Sequence, residues 1–202
     1  TLKNSFHGRT LTTLAATGQD HFHKLFQPLT PGFAHARAND LQDCIRVLSE
    51  NKAAAMLIEC VQGEGGVKVL DKEFVQGLFA YCKENDILFL VDEVQTGNGR
   101  SGSMYAYMNF GIQPDIVSIL IGVNDVNAGT NPNFTDFERW SRIYRMMIRD
   151  TQEKCPNTQI MICEPFTLRE NKKKNGMFEY AAEAKRIAEE FNLPFVALQD
   201  KM

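Results

Sequence analysis

The chain has 202 residues, 44% of them hydrophobic and 23% charged, with a formal net charge of −3. That is apolar material for one medium domain or two small ones, and too much for a disordered chain. The mild negative charge excludes a basic footprint for nucleic acid or an anionic membrane, and no apolar run approaches the roughly 20 residues that span a bilayer.

From Thr1 to about Asp40 the sequence clusters Gly, Thr, Pro and His, which predicts long loops with one short helix. Thr1 to Gly8 has neither the basic-then-apolar plan of a signal peptide nor an initiator Met. Asn39 to Asn51 sets Leu41, Ile45 and Leu48 on one helical stripe. Ala54 to Cys60 reads as a buried strand. A helix over Asp71 to Glu84 follows, with Val75, Leu78, Phe79 and Cys82 along one side, and then a strand over Ile87 to Val91. Ile116 to Ile121 is the next apolar run. A long amphipathic helix over Asp136 to Lys154 carries Phe137, Trp140, Tyr144, Met147 and Ile148, with Thr135 and Glu138 in capping-box spacing at its start. Gln159 to Cys163 reads as a strand, Lys172 to Lys174 as a solvated basic loop, Met177 to Phe191 as a helix and Pro194 to Leu198 as a last strand. Continuous rather than alternating hydrophobicity predicts strands covered on both faces. The alternation of strands and helices predicts an α/β fold, a mostly parallel sheet with flanking helices.

The five cysteines, Cys44, Cys60, Cys82, Cys155 and Cys163, form no CxxC pair. They read as reduced thiols, which argues for a cytoplasmic protein and against zinc, so no metal site is expected. Cys60 and Cys163 sit in apolar runs and read as buried and inert.

Three clusters carry candidate chemistry: Ser5-Phe6-His7-Gly8-Arg9-Thr10, the stretch Glu59 to Val67, and Asp92-Glu93-Val94-Gln95-Thr96-Gly97. The last two each follow a predicted strand, where ligand groups gather in open α/β sheets. A carboxylate there can hold a pyridine nitrogen protonated, an aromatic can stack on the ring, and a Gln can bond a ring hydroxyl. Strand-end carboxylates also cap the helices that follow them, so the pattern alone leaves both roles open.

These clusters, with TLTTLAATGQ after the first and GRSGSMYAYMNFGIQPDI after the third, closely resemble class III aminotransferases, the acetylornithine and ornithine aminotransferase group, over about residues 1 to 117. The resemblance implies a fold-type I large-domain fragment, pyridoxal phosphate as cofactor and a small-molecule substrate. The amino group would move between an acylated ornithine and 2-oxoglutarate, in a homodimer. Carried over by motif, Phe6 would stack on the cofactor ring, with His7 beside it in the cofactor site. Asp92 would pair with the ring nitrogen, Val94 would pack on the opposite face and Gln95 would contact the ring hydroxyl. Glu59 and Glu64 would lie by the substrate, Glu64 resembling the acid that holds a substrate-recognising Arg.

The family pattern then places its Schiff-base lysine six residues after the Asp of Pro-Asp-Ile, which is Asp115. The residue there is Ile121, and no lysine occurs from Glu84 to Glu153. The phosphate-cradling turn of that family belongs upstream of Ser5, and its small domain downstream.

From Asp115 onward the sequence resembles SGNH (GDSL-type) hydrolases instead, through Val117 to Asp125 (VSILIGVND), FERWSRIYRMMIRDTQEKCPNTQIMICEPF and EYAAEAKRIAEEFNLPFVALQDK. That resemblance implies a flavodoxin-like fragment in which Asn124 donates to an oxyanion hole. Gly-x-Asn-Asp taken alone also suits a turn or a helix cap. No histidine follows His35, so the general base of that chemistry has no residue in its expected place. The expectation is a junction near residues 114 to 118 joining a partial aminotransferase large domain (1–117) to a partial hydrolase-like domain (118–202), with one merged sheet of about five strands as an outcome. Three functions compete: an aminotransferase by descent that is inactive as this chain, an SGNH esterase, and a non-catalytic hybrid domain.

Overall fold

Strand β1 (Ala55–Ile58) lies parallel to β4 (Leu88–Val91), with Ala55 opposite Leu88 and Ile58 opposite Val91. The computed structural model describes residues 1–127, 136–166 and 176–198, and the chain divides into two units, Thr1–Gln113 and Pro114–Met202.

In the first unit, α3 (Leu41–Glu50) starts where the Asp40 carboxylate accepts the Asp43 amide. It packs on α4 (Lys72–Glu84), which packs on β4. Cys44, Leu48, Met56, Ile58, Val75, Leu78 and Cys82 are buried in this layer. Each buried aliphatic side chain or methionine among them contributes about 1.5–3 kcal/mol by leaving water. Between β1 and α4 the chain forms a small antiparallel hairpin, β2 (Val61–Gln62) and β3 (Lys68–Val69). The other face of the parallel pair is open: Leu88 and Leu90 on β4 are 66% and 45% exposed. This corrects the expectation of strands covered on both faces. Continuous hydrophobicity marks apolar side chains on both faces but does not say what covers each one.

The segment before Asp40 contains two short helices, α1 (Leu11–Ala16) and α2 (Asp20–His23), where one was expected. Thr10 and Thr13 cap α1 reciprocally. The segment is tied down by Leu2, fully buried and bridged to Ala36. Helix α5 (Tyr107–Phe110) ends at Gly111, whose φ of 70° is the left-handed cap that glycine tolerates best.

In the second unit, β5 (Ile116–Ile119), β6 (Gln159–Cys163) and β7 (Phe195–Val196) form a parallel sheet in that order. Helix α6 (Val123–Asn127) follows β5, α7 (Phe137–Lys154) leads towards β6, and α8 (Met177–Glu190) joins β6 to β7. Trp140, Tyr144, Met147 and Ile148 of α7 are buried, as their helical spacing predicts, and Met177, Ala184, Ile187 and Ala188 of α8 are buried as well. The N-cap of α7 is Asp136, which accepts the Arg139 amide at 2.7 Å; the expected cap Thr135 and the basic run Lys172 to Lys174 lie outside the described residues.

The described strands fall into three sheets, β1 with β4, β2 with β3, and β5, β6 and β7 in order. β5 directs its ladder hydrogen bonds to β6. Burial pushes the thiols of Cys44 and Cys60 up to about 12, so both are protonated and inert at neutral pH. Among the described residues no helix is long and apolar enough to cross a membrane.

Candidate functional site at two strand ends

The register of β1 and β4 sets Glu59 and Asp92 side by side, each one residue past its strand. The Asp92 amide donates to the Ile58 carbonyl at 2.7 Å, carrying the ladder one step further. Asp92 Oδ1 accepts the Val94 amide at 3.0 Å. Asp92 Oδ2 lies 2.8 Å from His7 Nδ1. An ionised carboxylate only accepts, so His7 Nδ1 carries the proton of this bond. The His7 side chain is 2% exposed, and its Nε2 is buried without a hydrogen-bond partner.

Residues 5–8 belong to no helix or strand, and their neighbours hold them in place. The Gly18 amide donates to the Ser5 carbonyl, the Phe6 amide donates to Glu59 Oε2 at 2.8 Å, and the His7 amide donates to Thr17 Oγ1 at 2.9 Å. The Phe6 ring meets Phe22 edge-on at 5.6 Å, and the Arg9 guanidinium lies over both rings. Such cation–π contacts favour a fixed aromatic wall. Glu59 is buried, and burial pushes its carboxyl up, against the opposing pull of the Phe6 amide.

Phe6, His7, Glu59 and Asp92 therefore come together. Gln95 is exposed but packs beside Gly63, where an added Cβ would stand 3.3 Å from its Cγ. The Val94 side chain is 90% exposed, with only its amide tied to Asp92. Glu64 is exposed in the β2–β3 turn. Asn124 is exposed in the first turn of α6, in the second unit, with Asp125 half-buried beside it; burial pushes the Asp125 carboxyl up.

Glu93 has no role in the motif reading, yet it organises the loop beyond Asp92. Its carboxylate accepts the amides of Ala106 and Tyr107 at 3.0 and 2.9 Å and the Thr96 hydroxyl. No sequence period reports bonds that reach 13 and 14 residues ahead.

Residues 1–122 match the class-III aminotransferase family and residues 92–202 match the GDSL-like lipase/acylhydrolase family. The acetylornithine aminotransferase of Aquifex aeolicus is 48% identical over 121 residues, 60% of this chain and 32% of that protein. That of Haemophilus ducreyi is 51% identical over 122 residues, 60% of this chain and 31% of that protein. Among solved structures, the ornithine aminotransferase of Toxoplasma gondii superposes with a TM-score of 0.53 at 32% identity, covering 56% of this chain and 27% of its own. An (S)-enantioselective omega-transaminase from Thermomicrobium roseum gives 0.54 at 29%, covering 57% and 30%. The chain spans about a third of the length of the curated relatives it matches.

Proposed function

The chain belongs to the class-III aminotransferase family through residues 1–122 and to the GDSL-like lipase/acylhydrolase family through residues 92–202, and from that premise we propose that its first unit is the ring-holding part of an acetylornithine-type aminotransferase that does not itself transfer amino groups. The family implies pyridoxal phosphate, whose protonated ring supplies an electron sink when bound. The observation that carries the reading is the His7-braced Asp92 carboxylate at the strand ends. That carboxylate suits a protonated ring nitrogen. Phe6, fixed by Arg9 and Phe22, supplies one face; Val94 supplies the other, and Gln95 the contact to the ring hydroxyl. Glu64 is assigned to the substrate side, where an acylated ornithine would bind, in a homodimeric, cytoplasmic enzyme of which this chain spans a part.

The residues fit the ring and do not fit covalent capture. The lysine position is Ile121, and no lysine lies between Lys83 and Lys154. Ile121 also falls in the second unit, whereas Asp92 belongs to the first. The division of the chain between Gln113 and Pro114 supports a join of two partial domains close to that point.

Thermal unfolding with added cofactor tests the reading. A ligand held only by the native state raises the midpoint. Pyridoxal phosphate and pyridoxamine phosphate are expected to raise it equally, since no aldehyde chemistry distinguishes them, and Asp92→Asn removes both shifts. No shift with either compound makes the chain a non-catalytic hybrid. A stoichiometric borohydride-fixed adduct, together with amino transfer from N-acetylornithine to 2-oxoglutarate, overturns the claim that capture is lost.

A second reading rests on the match of residues 92–202 to the hydrolase family. Asn124 stands just past the carboxyl end of β5, a place suited to an oxyanion donor. Without a histidine after His35 to act as base, no turnover of p-nitrophenyl acetate is expected. Turnover abolished by Asn124→Ala establishes the esterase reading instead.

A further inference from the structure

Glu59 is 1% exposed at the end of β1, beside the carboxylate assigned to the cofactor ring. The family resemblance puts it by the substrate. We infer instead that Glu59 is a positioning residue: it anchors the backbone of Phe6 and thereby sets the next residue, His7, on Asp92.

The geometry is specific. Glu59 Oε2 accepts the Phe6 amide at 2.8 Å. With its carboxylate committed to that backbone donor and its residue 1% exposed, Glu59 is placed to hold the chain at Phe6. Neighbouring strands lie about 4.8 Å apart, and an extended residue advances about 3.3 Å. Ile58 stands opposite Val91, so the residue after each strand stands beside its counterpart. Fixing Phe6 on Glu59 therefore carries His7 across to the neighbouring strand end, where Nδ1 meets Asp92 at 2.8 Å. Thr17 Oγ1 holds the His7 amide, and among the described residues the Phe6 amide is held by Glu59.

The inference deepens the ring-holding reading and rests on it for its functional meaning. Its geometric content can be tested without cofactor. The full chain is labelled with 15N-histidine, and the His7 ring is assigned by its loss in His7→Gln. At alkaline pH, where histidine is neutral, wild type is expected to show Nδ1 protonated and Nε2 unprotonated. Glu59→Gln, whose side-chain oxygen still accepts the Phe6 amide, keeps that pattern. Glu59→Met, of similar size without the oxygen, turns it into a mixture of tautomers, while the His23 and His35 signals stay in place. A residue that only binds substrate moves none of these signals, so an unchanged His7 pattern in folded Glu59→Met overturns the inference. If Glu59→Met does not fold, the Phe6 amide proton decides. It is expected far downfield in wild type and shifted upfield in Glu59→Gln, because a neutral acceptor replaces a charged one. An unmoved amide overturns the inference. Failure of the ring-holding reading appears separately, as the absence of any cofactor-induced thermal shift in wild type.

Discussion

His7 Nδ1 and Asp92 Oδ2 lie 2.8 Å apart although 85 positions separate them in the chain, and different constraints place them. Asp92 is set by the ladder: β4 is in register with β1, and the Asp92 amide extends that pairing. His7 is set by single bonds from Glu59 and Thr17 to a stretch of irregular chain. The carboxylate position is therefore robust, and the histidine position is the one that single substitutions can loosen.

Removing His7 tests the worth of the bond. The histidine side chain is 2% exposed and that of Asp92 17%, which limits how far solvent replaces the lost donor. Hydrogen bonds to charged groups contribute about 1.5–3 kcal/mol, so His7→Ala is expected to lower the stability of the first unit by about 2 kcal/mol in urea titrations followed by its amide signals. His7→Asn, which keeps a short N–H donor, recovers part of the loss. Equal stability of wild type and both variants means that the bond does not form in solution.

Asp43 gives the first unit an acid-sensitive point. The Arg46 side chain, with the Arg37 amide at 2.8 Å, holds its carboxyl down at about 2 from an ordinary 3.8. The folded value lies below the unfolded one, so the contribution is complete above pH 3.8 and is lost as the pH falls towards 2. Asp43→Asn is expected to flatten the dependence of stability on pH across that window and to leave the slope above it unchanged. The comparison is a set of urea midpoints at successive pH values. Parallel curves for the two proteins sink the assignment.

In the second unit, Glu183 is 4% exposed. Burial pushes its carboxyl up, but the hydroxyl of Ser141 and the guanidinium of Arg145 outweigh burial and hold it below its ordinary value. Glu183→Ala leaves Ser141 and the half-buried Arg145 facing an empty space, with Glu190 the carboxylate Arg145 keeps among the described residues. Breaking a buried pair from one side costs about 3–5 kcal/mol, and the lower end is expected because Glu190 remains. Trp140, the single tryptophan, lies in this unit and reports its unfolding by fluorescence. A midpoint within error of wild type contradicts the prediction.

Much of this architecture is legible in the sequence, and the losses have physical causes. The apolar run Gln159–Cys163 is the whole of β6, and the helical stripes of α3, α4, α7 and α8 fall within two residues of their ends. The stretch Phe6–His7 and the strand-end Asp92 stand out in the sequence, Asp92 because it follows an apolar run and precedes glycines, and the structure brings these residues within hydrogen-bond reach of each other. The open face of β4 is not legible, since Leu88 and Leu90 look like buried residues until the neighbouring layers are known. Nor is the work of Glu59 and Glu93, both of which grip backbone amides far away in the chain. A side chain that binds a distant amide leaves no periodic trace, and a family motif records only that an acid stands there. The motif role of Val94 meets a different obstacle: its side chain is 90% exposed, so any packing on a ring requires the ring to be there.

Gly122, the glycine of Gly-x-Asn-Asp, is constrained twice over. Its φ is +116°, a conformation that side chains of L-residues rarely adopt, and an added Cβ would stand 3.2 Å from both Trp140 Cζ2 and Tyr180 Cδ1. Strained backbone costs about 1–3 kcal/mol and overpacking a closed cluster about 1–3 kcal/mol more. Neither aromatic ring can retreat easily, because Trp140 and Tyr180 pack on each other at 4.7 Å and Tyr180 also meets Phe137 at 5.0 Å. Gly122→Ala is therefore expected to cost the second unit about 3 kcal/mol, which at about 2 kcal/mol per molar urea moves the Trp140 transition down by about 1.5 M. The same substitution changes the Trp140 emission in the folded state, since the added methyl presses on its ring. An alanine variant with the wild-type midpoint and spectrum shows that this motif glycine is kept for a reason other than packing, and returns attention to what Asn124, two residues further on, needs from the turn.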